Sequence, residues 1–413
     1  MSSFKDVGFR PADILIPKNI DMEKWSVVAC DQYTSQPEYW SKVERFVGDA
    51  PSTLHIVFPE IYLDSGNLAA RTDSIDKNMY KYLNEGIFNI YKDSFIYVER
   101  TLSDGRVRRG LVGAVDLEAY DYEKGSVSLV RATEKTVPDR IPPRVKIRTD
   151  APLELPHVML LVDDAKFELI KPLSDSKGEL DSVYDFELMQ GGGHITGYYV
   201  PLEKCAYMPE VLEGLVSDDG LLFAVGDGNH SLAAAKECWE AVKKGLSAEQ
   251  IENHTARFAL AEVVNIHDSA LVFEPIHRVL FGCNPQNVIE EFSKYNEGLS
   301  LSGGNSQKIG YTYGGKRGSL DVTTPKNGLV LAVLQDFLDE YCIKNNIKID
   351  YIHGEDVVMS LSEEKNSLGF LLPVLEKSSL LPFISSNGVL PRKAFSMGNA
   401  NEKRFYLECR KIK

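Results

Sequence analysis

Asp227, Asn229, His230 and Ser231 stand within five residues of one another, punctuated by Gly226 and Gly228. That spacing crowds a carboxylate, an amide, an imidazole that titrates near neutrality and a hydroxyl into one tight turn. The elements that must hold the turn are legible on either side. Leu221 to Val225 is a short apolar run suited to a buried strand. From Ser231 onward, Leu232, Ala235, Trp239 and Val242 recur at helical spacing, and Gly245 closes the pattern. The two glycines let the backbone turn sharply and leave its amides uncovered. A helix that starts there aims unpaired N–H groups, and the positive end of its dipole, at whatever lies above the turn. The result is an anion site before any side chain is counted. Asp and Asn are also ordinary turn and capping residues, and a lone His is often a satisfied core residue, so other stretches must decide.

A second corner repeats the arrangement. Trp25 to Cys30 is predicted as a strand that delivers Asp31 onto a loop, and Ser35, Pro37 and Glu38 are the capping residues of a following helix. Two strand-turn-helix corners, each bearing an Asp, could line one cleft. Cations are available from three places. The densest basic cluster runs through Arg140, Arg144, Lys146 and Arg148, and His277 with Arg278 is expected at a strand end. Arg392 and Lys393 precede a final strand predicted over Arg404 to Ile412. Each could grip phosphate or carboxylate, or simply pair with surface acids. Gly191, Gly192 and Gly193 lead into His194 and a strand, which is a weak phosphate signal because no helix follows.

Around these motifs the pattern is mixed α/β. Leu54 to Phe58 is predicted as a strand, Ala70 to Phe88 as a helix, and Ser94 to Glu99 with Val107 to Val115 as a hairpin turning at Asp104-Gly105. Long apolar strands are expected at Leu155 to Val162 and Ala256 to Ile266, and a helix at Val330 to Asn345. A length of 413 residues favours two lobes over one. They are expected at 1–265, with the anion-binding corner, and 266–413, an α+β lobe. The net charge of −14, with no dense basic stripe, argues against nucleic-acid binding. No apolar run reaches membrane-spanning length and the N-terminus lacks a signal region, so a cytoplasmic protein without membrane association is expected. Six scattered cysteines without a Cys-x-x-Cys pair fit reduced thiols.

Taken together, these stretches resemble a widespread bacterial family known only as a domain of unknown function. The landmarks are Cys30-Asp31, Thr133-Glu134-Lys135-Thr136 with Asp139-Arg140, Asp227 to Ser231, Pro275-Ile276-His277-Arg278 and Pro391-Arg392-Lys393, in that order. The family's Asp-Gly-His-His-Arg turn is in turn similar to the nucleotide-binding corner of the ParB and sulfiredoxin-like superfamily, which includes free-serine kinases. Here Asn229 replaces the first His and Ser231 the Arg. A phosphate-gripping cation is therefore missing from the motif, and Lys236, Arg140, Arg278 or Lys393 would have to supply it.

The resemblance implies a nucleotide-dependent phosphotransferase acting on a small hydroxylated metabolite, with free serine as one acceptor and ATP or ADP with Mg²⁺ as cofactors. Gly226, Asp227, Gly228, Asn229 and Ser231 would hold the nucleotide with Arg140, His277, Arg278 and Lys393. Asp31 or Glu134 would be the base, His230 would contact phosphate and Asp227 would hold the metal. The alternative is a nucleotide or anionic-metabolite receptor without turnover. A metal-dependent hydrolase using His194, Asp227, His230 and His277 ranks below both, since no metal-ligand spacing is present. The oligomeric state is left open.

Overall fold

The computed structural model describes residues 3–413 except 35, 63–65, 135–139, 156, 300–304 and 326, and only the backbone at Asp31 and Glu60. The chain is mixed α/β. It divides into two compact units. Met1–Ala132, Thr136–Leu271 and Asn399–Lys413 form unit 1, and Thr133–Lys135 with Val272–Gly398 form unit 2. Residues 399–413 thus return to unit 1, where the sequence reading had placed them in the second lobe.

Unit 1 is built on a large twisted sheet. Its named strands are β1 (Ala12–Pro17), β2 (Phe88–Thr101), β3 (Val107–Asp116), β4 (Val130–Ala132), β5 (Met159–Val162), β6 (Ser182–Leu188), β7 (Gly193–Val200), β8 (Phe223–Asp227) and β9 (Phe258–Asn265). Their order is β4-β8-β5-β9-β3-β2-β7-β6, with β1 beside β2. Most pairs are antiparallel, but β4 runs parallel to β8 and β5 parallel to β9. All eight residues of β9 are buried because both faces are covered. The pleat sorts them: Ala259, Ala261 and Val263 join one core, Phe258 and Leu260 the other. Fully burying a side chain the size of Val263 or Leu260 stabilises by roughly 1.5–3 kcal/mol.

The helices named here are α1 (Pro37–Val47), α2 (Leu68–Asn84), α3 (Ile141–Thr149) and α4 (Asn229–Lys243). Helix α4 turns Leu232, Ala235 and Trp239 into the Ala259-side core. The other face is closed by α1, α2 and the last residues of the chain, with Trp25, Trp40, Ile75, Phe405, Leu407 and Cys409 in one cluster.

Unit 2 carries its own sheet. Strands β10 (Phe273–Phe281), β11 (Asn305–Tyr313), β12 (Lys316–Thr324), β13 (Lys348–His353) and β14 (Ser367–Leu371) lie in the order β12-β11-β14-β10-β13, all antiparallel. Helix α5 (Val330–Asn345) buries Leu331, Val333, Leu334, Phe337 and Leu338, as its spacing predicts.

Three local expectations are corrected. Trp25 closes a four-residue helix, Met22–Trp25, rather than opening a strand. The Asp21 carboxylate accepts the amides of Glu23 and Lys24, and that cap outweighs the apolar run. Thr53–His55 is a 3₁₀ turn in place of the strand expected at Leu54, because Ser52 Oγ caps it at Leu54 N. Only Arg410–Lys411 of the final segment forms ladder, with Leu153–Glu154. Upstream, that segment makes single bridges, Tyr406 to Val27 and Cys409 to Leu15. All six cysteines are free thiols.

Candidate functional site

The turn after β8 has the local structure its residues dictate. Gly228 adopts the left-handed conformation, φ 84° and ψ 22°, as the residue immediately before α4. A Cβ there would lie 3.0 Å from both Cα and Cγ2 of Val158, so only glycine meets the backbone and the space requirements together. Asp227 Oδ1 accepts the Gly228 amide at 2.9 Å, and Asn229 Nδ2 donates to Val225 O at 3.3 Å. The helical ladder opens with Leu232 N donating to Gly228 O, so the amides of Asn229, His230 and Ser231 precede it and face the helix end. Gly226 through Ser231 are all partly exposed. The corner is open to solvent.

Three side chains that the sequence reading missed complete it. Lys403 Nζ lies 3.3 Å from Asp227 Oδ2, with the lysine side chain 13% exposed and the aspartate 29%. Tyr406 and the imidazole of His157 are 2.8 Å apart, phenol oxygen to Nδ1, and His157 Nε2 is 3.4 Å from Ser231 Oγ. Lys403 is held from behind. Arg100 donates to Lys403 O at 3.1 Å, to Asn401 O at 2.7 Å and to Gly192 O. Burial pulls that guanidinium down to about 9.

The same C-terminal segment reaches the second corner. Tyr406 N donates to Val27 O at 2.8 Å, and Cys30 Sγ lies 4.0 Å from Ala400 O. Asp31 opens a 3₁₀ turn, Asp31–Tyr33, next to these contacts, while its side chain and all of Ser35 lie outside the described residues. Residues 399–406 therefore touch both Asp-bearing corners of unit 1. Arg140 is exposed ahead of α3, its carbonyl accepting from Arg144 Nη1 at 2.8 Å. Lys135, Thr136 and Asp139 fall outside the described residues. Lys236 is directed away from the turn, donating to Leu117 O at 2.8 Å and pairing with Glu240 at 2.7 Å.

Glu134, His277, Arg278 and Lys393 belong to unit 2. His277 and Arg278 lie in the middle of β10, paired to β13, and are almost wholly buried, which corrects the strand-end placement. Arg278 donates to Gln335 Oε1 at 3.0 Å and to the carbonyls of Ile276 and Arg392, and its guanidinium sits 5.0 Å from the centre of the Tyr351 ring. Burial lowers it to about 10, so it stays charged as an internal strut. His277 Nδ1 accepts the Leu372 amide at 3.0 Å, and burial lowers its pKa, which keeps it neutral. Glu134 bridges to Leu390, and Lys393 is exposed at φ 56°.

His194 stands on β7 with its ring nitrogens 2.9 Å from Glu187 and 2.5 Å from Asp185. Burial pulls its pKa down, but the two carboxylates outweigh that and the net shift is upward. The associated stability is therefore full below the unfolded value of about 6.5 and is lost as pH rises through the folded one. An NMR titration should place the His194 midpoint above about 6.5, and Asp185→Asn should lower it. Among the described residues no group of three or more His, Cys, Asp or Glu side chains is placed to hold a metal.

Residues 12–341 match the family described as Protein of unknown function (DUF1015). The chain belongs to that family. No curated protein matches it. Among solved structures, a free serine kinase variant in complex with ADP is similar at 10% identity and a TM-score of 0.38, covering 74% of this chain and 93% of that one. A conserved hypothetical protein from Pyrococcus furiosus is similar at 10% identity and 0.32, covering 71% and 90%. C-terminally truncated SbnI from Staphylococcus aureus follows at 9% and 0.34, covering 70% and 83%. For this DUF1015 member, no described helix is long and apolar enough to cross a membrane.

Proposed function

We propose that unit 1 binds a nucleotide by its phosphates at Gly226 to Ser231 and transfers a phosphoryl group to a small hydroxylated metabolite. The observation that carries this reading is the open turn at the α4 start with the Lys403 ammonium 3.3 Å from Asp227. Amides outside the helical ladder, the dipole and one lysine make up a phosphate receptor, and phosphoryl transfer needs charge neutralisation and positioning above all. Lys403 takes over the charge that an arginine at position 231 would have provided. His230 is assigned to phosphate contact. Asp31, on the neighbouring corner, is assigned as base for the acceptor hydroxyl on sequence grounds.

One carboxylate plus phosphate oxygens is an ordinary Mg²⁺ shell, so Asp227 is the residue that would hold an ion arriving with the nucleotide. Such an ion, when bound, neutralises phosphate charge. The second reading is anion reception without turnover, favoured by the Lys403–Asp227 pair, which already neutralises the one carboxylate of the turn.

The test is a thermal-shift and calorimetric series with ADP and ATP, with and without Mg²⁺, followed by product detection across small hydroxy compounds beginning with serine. Nucleotide should raise the melting temperature, and Lys403→Ala should weaken binding about ten- to a hundredfold, the worth of one charge-assisted contact. Binding with no phosphorylated product selects the receptor. Absence of any nucleotide binding removes the phosphotransferase, and absence of binding of both nucleotide and inorganic phosphate removes the receptor as well.

A further inference from the structure

A cavity of about 410 Å³ opens in unit 1 where β5 and β9 end, with Arg109, Phe167, Ile170, Ser174, His267 and Asp268 in its wall. It lies at the opposite end of the sheet from Gly228. Strands β5 and β9 run parallel and finish together at Val162 and Asn265, whereas β8 starts there, with Phe223 opposite Val162 and Asp227 opposite Met159. Its size is within the roughly 300–1,000 Å³ of small-molecule sites. The carboxyl ends of parallel strands are also where α/β sheets commonly receive ligands.

One side of the cavity is apolar and held under strain. Phe167 has φ 59°, a left-handed backbone that a bulky side chain rarely adopts, and its ring is 40% exposed beside Ile170. The surrounding loop enforces that conformation. Asp164 O accepts the Phe167 amide at 3.1 Å and Asn265 Nδ2 at 2.7 Å, and Asp164 Oδ2 accepts the Leu169 amide at 2.8 Å. His267, with Nε2 2.6 Å from Asp163 Oδ1, meets the Phe167 ring edge-on at 6.4 Å. Packing alone does not account for an aromatic ring fixed at a cost in backbone energy and left partly in water, whereas a ligand that covers the ring does.

The other side is cationic. Arg109 Nε donates to Ser174 Oγ at 3.2 Å and Nη1 lies 3.5 Å from Val107 O, while Nη2 donates to none of the described residues. Glu99, 3.8 Å from Nε, is itself paired with Lys177 at 2.7 Å. The acids of the wall are engaged as well. Asp175 pairs with Lys171 at 2.6 Å, and Asp268 accepts the amides of Ala270 at 2.8 Å and Arg109 at 3.0 Å. The outer edge of a guanidinium, two parallel N–H groups, matches a carboxylate.

We propose that this cavity binds a small monocarboxylate with an apolar body, the carboxylate on Arg109 and the body against Phe167 and Ile170. The site is independent of the nucleotide reading, since it shares no residue with the α4 start.

The experiment titrates the full chain with 3-phenylpropionate by calorimetry, with 3-phenylpropionamide as the uncharged control. The acid should bind saturably and at least tenfold more tightly than the amide. Arg109→Gln should weaken the acid about ten- to a hundredfold, the worth of a charge-assisted pair, and abolish the preference over the amide. Phe167→Gly should weaken both compounds about tenfold without lowering the melting temperature by more than about 2 °C, because glycine adopts the left-handed backbone freely. That variant carries the test should Arg109→Gln fail to fold. Lys403→Ala should leave binding of the acid unchanged. The proposal is overturned if the wild type shows no saturable binding, if acid and amide bind equally, or if Phe167→Gly or a folded Arg109→Gln binds the acid as tightly as wild type. Loss of binding in Lys403→Ala would place the acid at the α4 start and overturns it too.

Discussion

Asp227→Asn should cut nucleotide-dependent turnover by about a hundred- to a thousandfold, the scale seen when one fixed electrostatic group is removed from a reacting site. The amide can still accept the Gly228 N–H that Asp227 Oδ1 accepts at 2.9 Å, so the turn should keep its shape. What goes is the charge that pairs with Lys403 and would hold a metal ion. With both partners partly exposed, the lost ion pair should cost no more than about 1 kcal/mol of stability. The expected signature is a collapsed kcat with a melting temperature moved by a few degrees at most. A variant within threefold of wild-type kcat would show that Asp227 has no part in the chemistry.

Glu262→Gln should have the larger effect on folding. Glu262 lies on the Leu260 side of β9, 3% exposed, with Oε2 2.8 Å from Arg404 Nε and Oε1 4.0 Å from Arg108 Nε. Glu408 holds the other side of Arg404 at 2.8 Å and accepts the Tyr184 hydroxyl at 2.6 Å. Neutralising Glu262 removes the buried carboxylate that both Arg108 and Arg404 face, and leaves Arg404 with Glu408. Breaking a buried pair from one side typically costs 3–5 kcal/mol, because the remaining charge is uncompensated. Denaturant unfolding should report that loss, and a scan a melting temperature lower by roughly 5–10 °C. A loss under about 1 kcal/mol would mean that water reaches the cluster. Since Arg404 follows Lys403 directly, the variant should also loosen the lysine at Asp227, and nucleotide affinity should fall with stability.

The turn itself was legible because its determinants are local. Gly226, Gly228 and the apolar spacing from Leu232 to Trp239 act within a few residues, and the strand, left-handed glycine and helix all formed where those signals lie. The hairpin turning at Gly105 and the helix over Val330–Asn345 were readable for the same reason. Lys403, Tyr406 and His157 were not, because they reach the turn through long-range pairing. Tyr406 meets Val27 from the far end of the chain, and nothing within the segment from Arg404 to Ile412 announces that it lies across unit 1. His157 was hidden at the head of an apolar run whose strand starts two residues later, at Met159. His277 and Arg278 misled in the opposite direction. Polar residues inside an apolar strand suggested an end, whereas Gln335, Tyr351 and backbone carbonyls satisfy Arg278 in the interior.

The central claim concerns amides, and amides can be watched directly. ADP titrated into uniformly ¹⁵N-labelled protein should produce saturable shifts at Gly228, Asn229, His230 and Ser231, with the Lys403 side chain responding in parallel. If those four signals stay in place while ADP saturates the protein elsewhere, or does not bind at all, the phosphate-receiving turn is refuted.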